Sequence, residues 1–160
     1  MPNDTEFDTQ ASLPPRAAWT AALAAAPAEA VMGLAAEIAA SAVIEHLSPP
    51  QDGLLLLRLR DSVAGAPFHL GELPVSRAHV QLRRGEALAE GGAVVMSDDP
   101  ERTLAIAVLD AALAAGWPEA DHIARLVAEG EAIRAGTEAE RALVFARTRV
   151  DFQTLSQADA

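Results

Sequence analysis

Apolar residues are spaced in two ways along the chain, and the spacing changes twice. The N-terminal part has helical spacing, with one predicted helix at residues 16–26 and a second that begins at Pro27. Proline fits the first turn of a helix, where its missing N–H costs nothing. The second helix carries one apolar stripe: Val31, Leu34, Ala35 and Ile38. Two helices joined this tightly predict a helical hairpin.

The central part has the β-branched and alternating pattern of strands. It predicts an antiparallel sheet of about four to five short strands, at residues 42–47, 53–60, 68–73, 75–82 and 93–96. Residues 48–53 read Ser-Pro-Pro-Gln-Asp-Gly, which predicts a turn. Pro74 predicts a bulge, an edge or a tight turn, because proline cannot donate to a strand ladder.

The predicted strand at residues 53–60 is apolar on both faces. Alternation predicts that Leu55, Leu57 and Leu59 face the core. The opposite face has Leu54 and Leu56 at one end and two arginines at the other. A face open to water should not carry leucines in this way. Either the chain's own helices or another protein covers this apolar surface, and the sequence does not distinguish the two.

The C-terminal part returns to helical spacing. Asp99 and Pro100 predict a capped helix that ends near Gly116, with Leu104, Val108, Leu109 and Leu113 buried and Ile106 outside their stripe. A further helix from Pro118 is expected to bend or break near Gly136. Helices, then strands, then helices indicate an α+β fold with the C-terminal helices packed on one sheet face. We expect a disordered tail at 1–13, a single domain at 14–155 and a flexible end at 156–160.

Charge narrows the classes of partner. The formal net charge is −11, which argues against nucleic acid or an anionic membrane as a partner. The chain has no cysteine, and its first residues are polar and acidic, unlike a secretory signal. The expected location is the cytoplasm.

Four segments together resemble the PhnG family, whose members are small subunits of the bacterial carbon–phosphorus lyase complex. They are Arg16-Ala17-Ala18-Trp19, then Gly71-Glu72 with Val75-Ser76-Arg77-Ala78, then Asp99 with Asp110-Ala111, and finally Arg149-Val150-Asp151-Phe152. Two segments depart from the family pattern. Ser97-Asp98-Asp99 stands where the family usually has Gly-Arg-Asp, and Gly91, Gly92 and Ala93 replace aromatic residues, so we expect a looser hairpin there.

The resemblance implies an assembly with PhnH, PhnI and PhnJ subunits. Together with PhnH, PhnI and the ATP-binding-cassette-like PhnL, a PhnG subunit would support transfer of the ribose triphosphate part of ATP to a phosphonate, with displacement of adenine. The nucleosidase-like chemistry is placed on PhnI. This chain is therefore expected to carry no catalytic, cofactor-binding or metal-binding residue, and ATP is a substrate of the complex. The alternative is a free-standing module that binds a small molecule or anion through Arg58, Arg60 and Arg77.

Five residues are candidates for an interface or a structural role: Arg77, Asp110, Arg149, Asp151 and Phe152. An unpaired carboxylate at Asp110 would be costly among apolar neighbours. Three alternatives stay open: Asp110 forms a stabilising salt bridge with Arg77 inside the subunit, each of the two meets a partner chain, or Asp110 is simply solvated. The last three residues suggest a tail that docks, either on its own domain or on another subunit. His69, His79 and Glu72 are better explained as exposed residues than as a metal site, and capping explains Asp99 without metal chemistry.

Overall fold

The computed structural model describes residues 13–148, which form a two-layer α+β fold. The sheet has three antiparallel strands in the order β1-β2-β3. The elements are α1 Arg16–Ala25, α2 Ala28–Ser41, β1 Val43–Arg60, β2 Pro67–Arg84, β3 Ala87–Val95, α3 Pro100–Ala114 and α4 Ala120–Arg147. The predicted fold class and helical hairpin are confirmed. Most of the predicted tail at 1–13, and all of residues 156–160, lie outside the described residues.

The strands are fewer and longer than predicted, because three expected interruptions lie inside them. β1 and β2 are each 18 residues long. The predicted turn at residues 48–53 belongs to β1, where shifts of register on both sides of Ser48 accommodate its two prolines as bulges. Pro74 of β2 lies directly opposite Leu54 of β1. Gly71, also in β2, adopts a φ of 152° beside a third register shift.

Helix α3 occupies the centre of the fold. It packs on the inner face of the sheet and also contacts α1, α2 and α4. Alternation along β2 places Ala78, Val80 and Leu82 in the core. The expectation that Ile106 lies outside the buried face is wrong: its side chain is fully buried, because α3 is enclosed on several sides and has no solvent-facing stripe over its central turns.

Two glycines allow the layers to approach closely. A Cβ on Gly91 of β3 would lie 2.4 Å from the backbone nitrogen of Ala111 in α3. A Cβ on Gly130 of α4 would lie 1.9 Å from the carbonyl oxygen of Ala22 in α1. The looser hairpin expected at Gly91 is therefore not what the structure has, since the missing side chain tightens the contact between β3 and α3.

Helix α4 is continuous over 28 residues and does not break at Gly136. A glycine within a helix costs only about 1 kcal/mol, which the surrounding turns can offset. Only the first part of α4 packs on the body, through Ile123, Val127 and Gly130. The turns beyond Glu131 are exposed, and Phe145 near the end is 71% exposed.

The outer parts of β1 and β2 extend beyond the third strand. β3 pairs only with residues 76–84 of β2, so residues 53–75 form a two-stranded hairpin that we call the arm. None of its residues is buried. The prediction that Leu55, Leu57 and Leu59 face the core is wrong. They lie on the face of Arg77, because β1 pairs Gln51 with Arg77 and the leucines follow Gln51 at alternate positions.

Over residues 13–148, no single helix is long and apolar enough to cross a membrane, although α1 and α2 pass that test together by length and composition, bent by 120°.

Candidate interface and structural site

A buried carboxylate lies where three elements meet. Asp110, on the face of α3 that contacts β3, is 4% exposed. Arg16 at the start of α1 donates two hydrogen bonds to it, Nε to Oδ1 at 3.1 Å and Nη2 to Oδ2 at 2.7 Å. The backbone N–H of Gly92 donates to the same Oδ2 at 3.2 Å. Arg16 also donates to the carbonyl oxygen of Glu90 at 2.8 Å. The cluster thereby joins α1, β3 and α3.

The ion pair is asymmetric in its exposure. The Asp110 side chain is 6% exposed, whereas that of Arg16 is 51% exposed. The hydrogen bond from Arg16 to Asp110 is the largest influence on the guanidinium and raises the pKa of Arg16. The arginine keeps part of its hydration while it satisfies a carboxylate that has none, which is a favourable way to bury a charge.

The predicted pairing of Arg77 with Asp110 does not occur. Asp110 lies under the sheet with α3, whereas Arg77 lies on the outer face, where it donates to Gln51 Oε1 at 2.8 and 3.2 Å. Next to it on that face, His79 Nε2 lies 2.8 Å from Glu90 Oε1. Arg77 thus belongs to an open polar surface of the sheet, and its role at an interface stays a prediction.

The three arginines proposed for anion binding do not converge. Arg77 follows the outer sheet face, whereas Arg58 and Arg60 lie near the end of the arm and point to the opposite side of the ribbon by alternation along β1. No single anion can be contacted by all three in this arrangement. The structure therefore gives no support to that alternative.

The histidines do not form a group either. His69 lies opposite Arg58 in the arm, whereas His79 lies opposite Ser48 in the body of the sheet. Within residues 13–148 there is no group of three metal-ligating side chains. Asp99 acts as predicted for a helix cap, because its side chain accepts a hydrogen bond from the N–H of Arg102 at 2.9 Å.

Sequence reasoning missed two arginines that connect the helices. Arg102 donates to the carbonyl oxygens of Ala24 and Ala26, at 2.9 and 2.7 Å, and so caps the C-terminal end of α1. Arg84 stacks on the Trp117 ring at 4.3 Å and bonds to Glu119, whose pKa it lowers chiefly through that hydrogen bond. The sequence contains no signal for the contacts of Arg84 or Arg102, because the residues that each of them contacts are distant in the chain.

The remaining candidates, Arg149, Asp151 and Phe152, lie outside the described residues. Among the segments that resemble the PhnG family, however, two meet in space. Arg16 opens the first of them, and Asp110 belongs to the third. Their ion pair gives a structural reason for the two segments to occur together in one fold.

Comparison with known proteins agrees with this resemblance. The family described as phosphonate metabolism protein PhnG matches residues 14–157. A curated relative from Rhizobium meliloti (strain 1021) is 37% identical over 109 residues, which is 66% of this chain and 65% of the relative. Its name is alpha-D-ribose 1-methylphosphonate 5-triphosphate synthase subunit PhnG. The match thus spans slightly less than two thirds of the relative's length. Because the family match covers nearly all of the chain, the protein belongs to the PhnG family of phosphonate metabolism proteins.

Proposed function

We propose that the chain is an accessory subunit of an alpha-D-ribose 1-methylphosphonate 5-triphosphate synthase. The assembly would transfer the ribose triphosphate part of ATP to a phosphonate such as methylphosphonate and release adenine. The observation that carries this proposal is the family match over residues 14–157, together with the name of the Rhizobium relative.

The proposed partners are PhnH-, PhnI-, PhnJ- and PhnL-type subunits, in the cytoplasm. The exposed arm supports a role that depends on neighbouring chains, since it has a large apolar surface that the described part of this chain leaves uncovered. The contribution of this subunit would be binding surface rather than reacting groups. Asp110 fits that division of labour, because Arg16 and the Gly92 N–H already occupy the carboxylate.

Reconstitution of the synthase with and without this chain tests the proposal. Purified partner subunits would be mixed with ATP and methylphosphonate, and released adenine would be measured by chromatography. We expect adenine release to require this chain, and to fall to the background of a reaction without methylphosphonate when the chain is omitted. An equal rate of adenine release without the chain would contradict the proposal.

A further inference from the structure

The arm has open backbone edges on both sides. β1 is an edge strand over its whole length, and β2 has no second neighbour in the arm because β3 pairs only with residues 76–84. A two-stranded hairpin is marginally stable in water by itself, and natural proteins usually shorten, charge or cover such edges. Here the paired length continues to Arg60 and Pro67.

One face of the arm is wholly apolar. Opposed pairs on this face are Leu55 with Leu73, and Leu59 with Phe68, with Leu57 between them opposite Gly71. Leu55 is 51% exposed and Phe68 is 44% exposed. A contiguous apolar surface of this kind on a small soluble domain marks a binding surface rather than a solvated one.

The other face changes character along its length. Near the body it carries Leu54 and Leu56, which are 67% and 53% exposed. Toward the tip it carries Arg58 and Arg60, neither of which forms an ion pair within residues 13–148. Glu72 lies opposite Leu56 on the same face, so the face carries leucines and one exposed carboxylate near its root and two arginines toward its tip.

The nearest carboxylate at the tip is already engaged. Asp61 accepts hydrogen bonds from the N–H groups of Val63, Ala64 and Ala66, at 2.8, 2.6 and 2.9 Å. These backbone bonds, that from Ala64 first, lower the pKa of Asp61. The Asp61 carboxylate is thus satisfied by the turn itself. Arg60 donates a long hydrogen bond, 3.4 Å, to the carbonyl oxygen of Gly65. Within residues 13–148 no ion pair neutralises either guanidinium group, so both can pair with an external acid.

From this geometry we propose that the arm inserts into a groove of a different subunit of the synthase, a step that rests on the proposed function. The groove is apolar along both walls, because both faces of the arm have leucines at the root. It carries carboxylates where the arm ends, opposite Arg58 and Arg60. Backbone pairing with an open edge of the arm adds directional hydrogen bonds to this contact.

A second copy of this chain fits the arm less well. Two arms packed through the Leu55 face would leave Leu54 and Leu56 uncovered on both copies. The opposite face, placed against its own copy, would bring like guanidinium charges together at the tips. A groove in a heterologous subunit covers both faces and neutralises the tip.

The strand register allows the arm to be deleted while the rest of the pairing between β1 and β2 is kept. Asp52 lies directly opposite Ser76, so residues 53–75 can be replaced by Asn-Gly, which closes a two-residue hairpin. No core residue is removed. We expect the excised chain to keep the far-ultraviolet circular dichroism of a folded protein and a melting temperature within a few degrees of the wild type.

Partner capture then tests the arm. The tagged chain would be co-expressed with the PhnH-, PhnI- and PhnJ-type subunits of the same genome, and recovered partners would be quantified. We expect the excised chain, and separately the double variant Leu57→Glu with Phe68→Glu, to recover at least about tenfold less partner than the wild type. Arg58→Glu with Arg60→Glu should also lose capture, with a loss that shrinks at high salt.

Leu88→Glu is the control, since Leu88 on β3 is an exposed leucine outside the arm and its variant should retain capture. Full capture by the excised chain would overturn the arm proposal and leave the proposed function standing, whereas absence of capture by the wild type would overturn both. A wild-type dimer that the excision converts to a monomer would identify a second copy as the occupant, and would also overturn the proposal.

Discussion

At the scale of single residues, one arginine supplies most of the hydrogen bonds to the buried carboxylate of Asp110. The carboxylate is removed from water, and Arg16 supplies both of its side-chain hydrogen bonds. Loss of Arg16 leaves the buried carboxylate with only the Gly92 N–H as a donor, which costs more than the intact pair contributes, whereas loss of Asp110 leaves an arginine that is half exposed. The Arg16–Asp110 pair thus connects the first helix to the central helix.

We predict that Asp110→Asn lowers the free energy of unfolding by about 1–3 kcal/mol, because the amide keeps the shape but loses the charge-assisted bonds to Arg16. Urea unfolding at neutral pH measures this. Asp98→Asn is the control, because Asp98 is exposed and should change stability by less than about 0.5 kcal/mol.

The same variants decide whether Asp110 has an interface role. If it acts only within the fold, Asp110→Asn retains partner capture at a temperature where it remains folded. Equal stability of Asp110→Asn and the wild type, combined with lost capture, would contradict the structural role and indicate a direct contact with another subunit.

At the scale of elements, close packing between helices α1 and α4 depends on one glycine of α4 and not on another. Gly130 leaves room for the backbone of Ala22, whereas no atom lies within 4 Å of a Cβ placed on Gly136. Two glycines in one helix thus have opposite consequences for stability, although their local sequence contexts are similar.

We predict that Gly130→Ala lowers the free energy of unfolding by at least about 1 kcal/mol, because the new methyl group forces α1 and α4 apart. Gly136→Ala should instead stabilise it by up to about 1 kcal/mol, because alanine favours the helix and meets nothing. Thermal unfolding of both variants tests the pair. A stabilised Gly130→Ala would show that the two helices are not in this close contact.

The elements also show how far sequence reasoning reaches. Local signals were reliable at two places: Asp99 caps α3 as predicted, and Pro27 directly precedes the second helix, which begins at Ala28. Errors came where tertiary context overrides a local rule. Proline in residues 48–53 predicts a turn, yet a bulge in an edge strand needs no donor there.

At the candidate site, too, local features could be predicted from the sequence and tertiary contacts could not. The apolar neighbours of Asp110 singled it out as a candidate, but its partner was not predicted, because Arg16 lies 94 residues away in the sequence. The face assigned to Leu55 was wrong for a related reason. Alternation says which residues share a face, and only the position of the helices says which face is covered.

At the scale of the whole molecule, exposed apolar side chains occur together with a strongly acidic net charge. The acidic chain carries uncovered leucines on the arm, and Leu143, Val144 and Phe145 are exposed near the end of α4. Net charge limits self-association in such a chain, while the apolar surfaces favour a partner that covers them. Together these properties agree with the proposed role of a subunit whose exposed apolar surfaces are covered on assembly.

The enclosure of α3 has a consequence for hydrogen exchange. Amide protons of a helix packed on several sides exchange only when the whole domain opens, whereas those of a ribbon with few buried contacts exchange by local fluctuation. In exchange followed by mass spectrometry, peptides from Pro100–Ala114 should therefore be the slowest and peptides from residues 53–75 among the fastest. Equal rates would contradict this division. Addition of the partner subunits should slow the arm selectively, so one measurement reports both the most rigid part of the subunit and the part that assembly makes rigid.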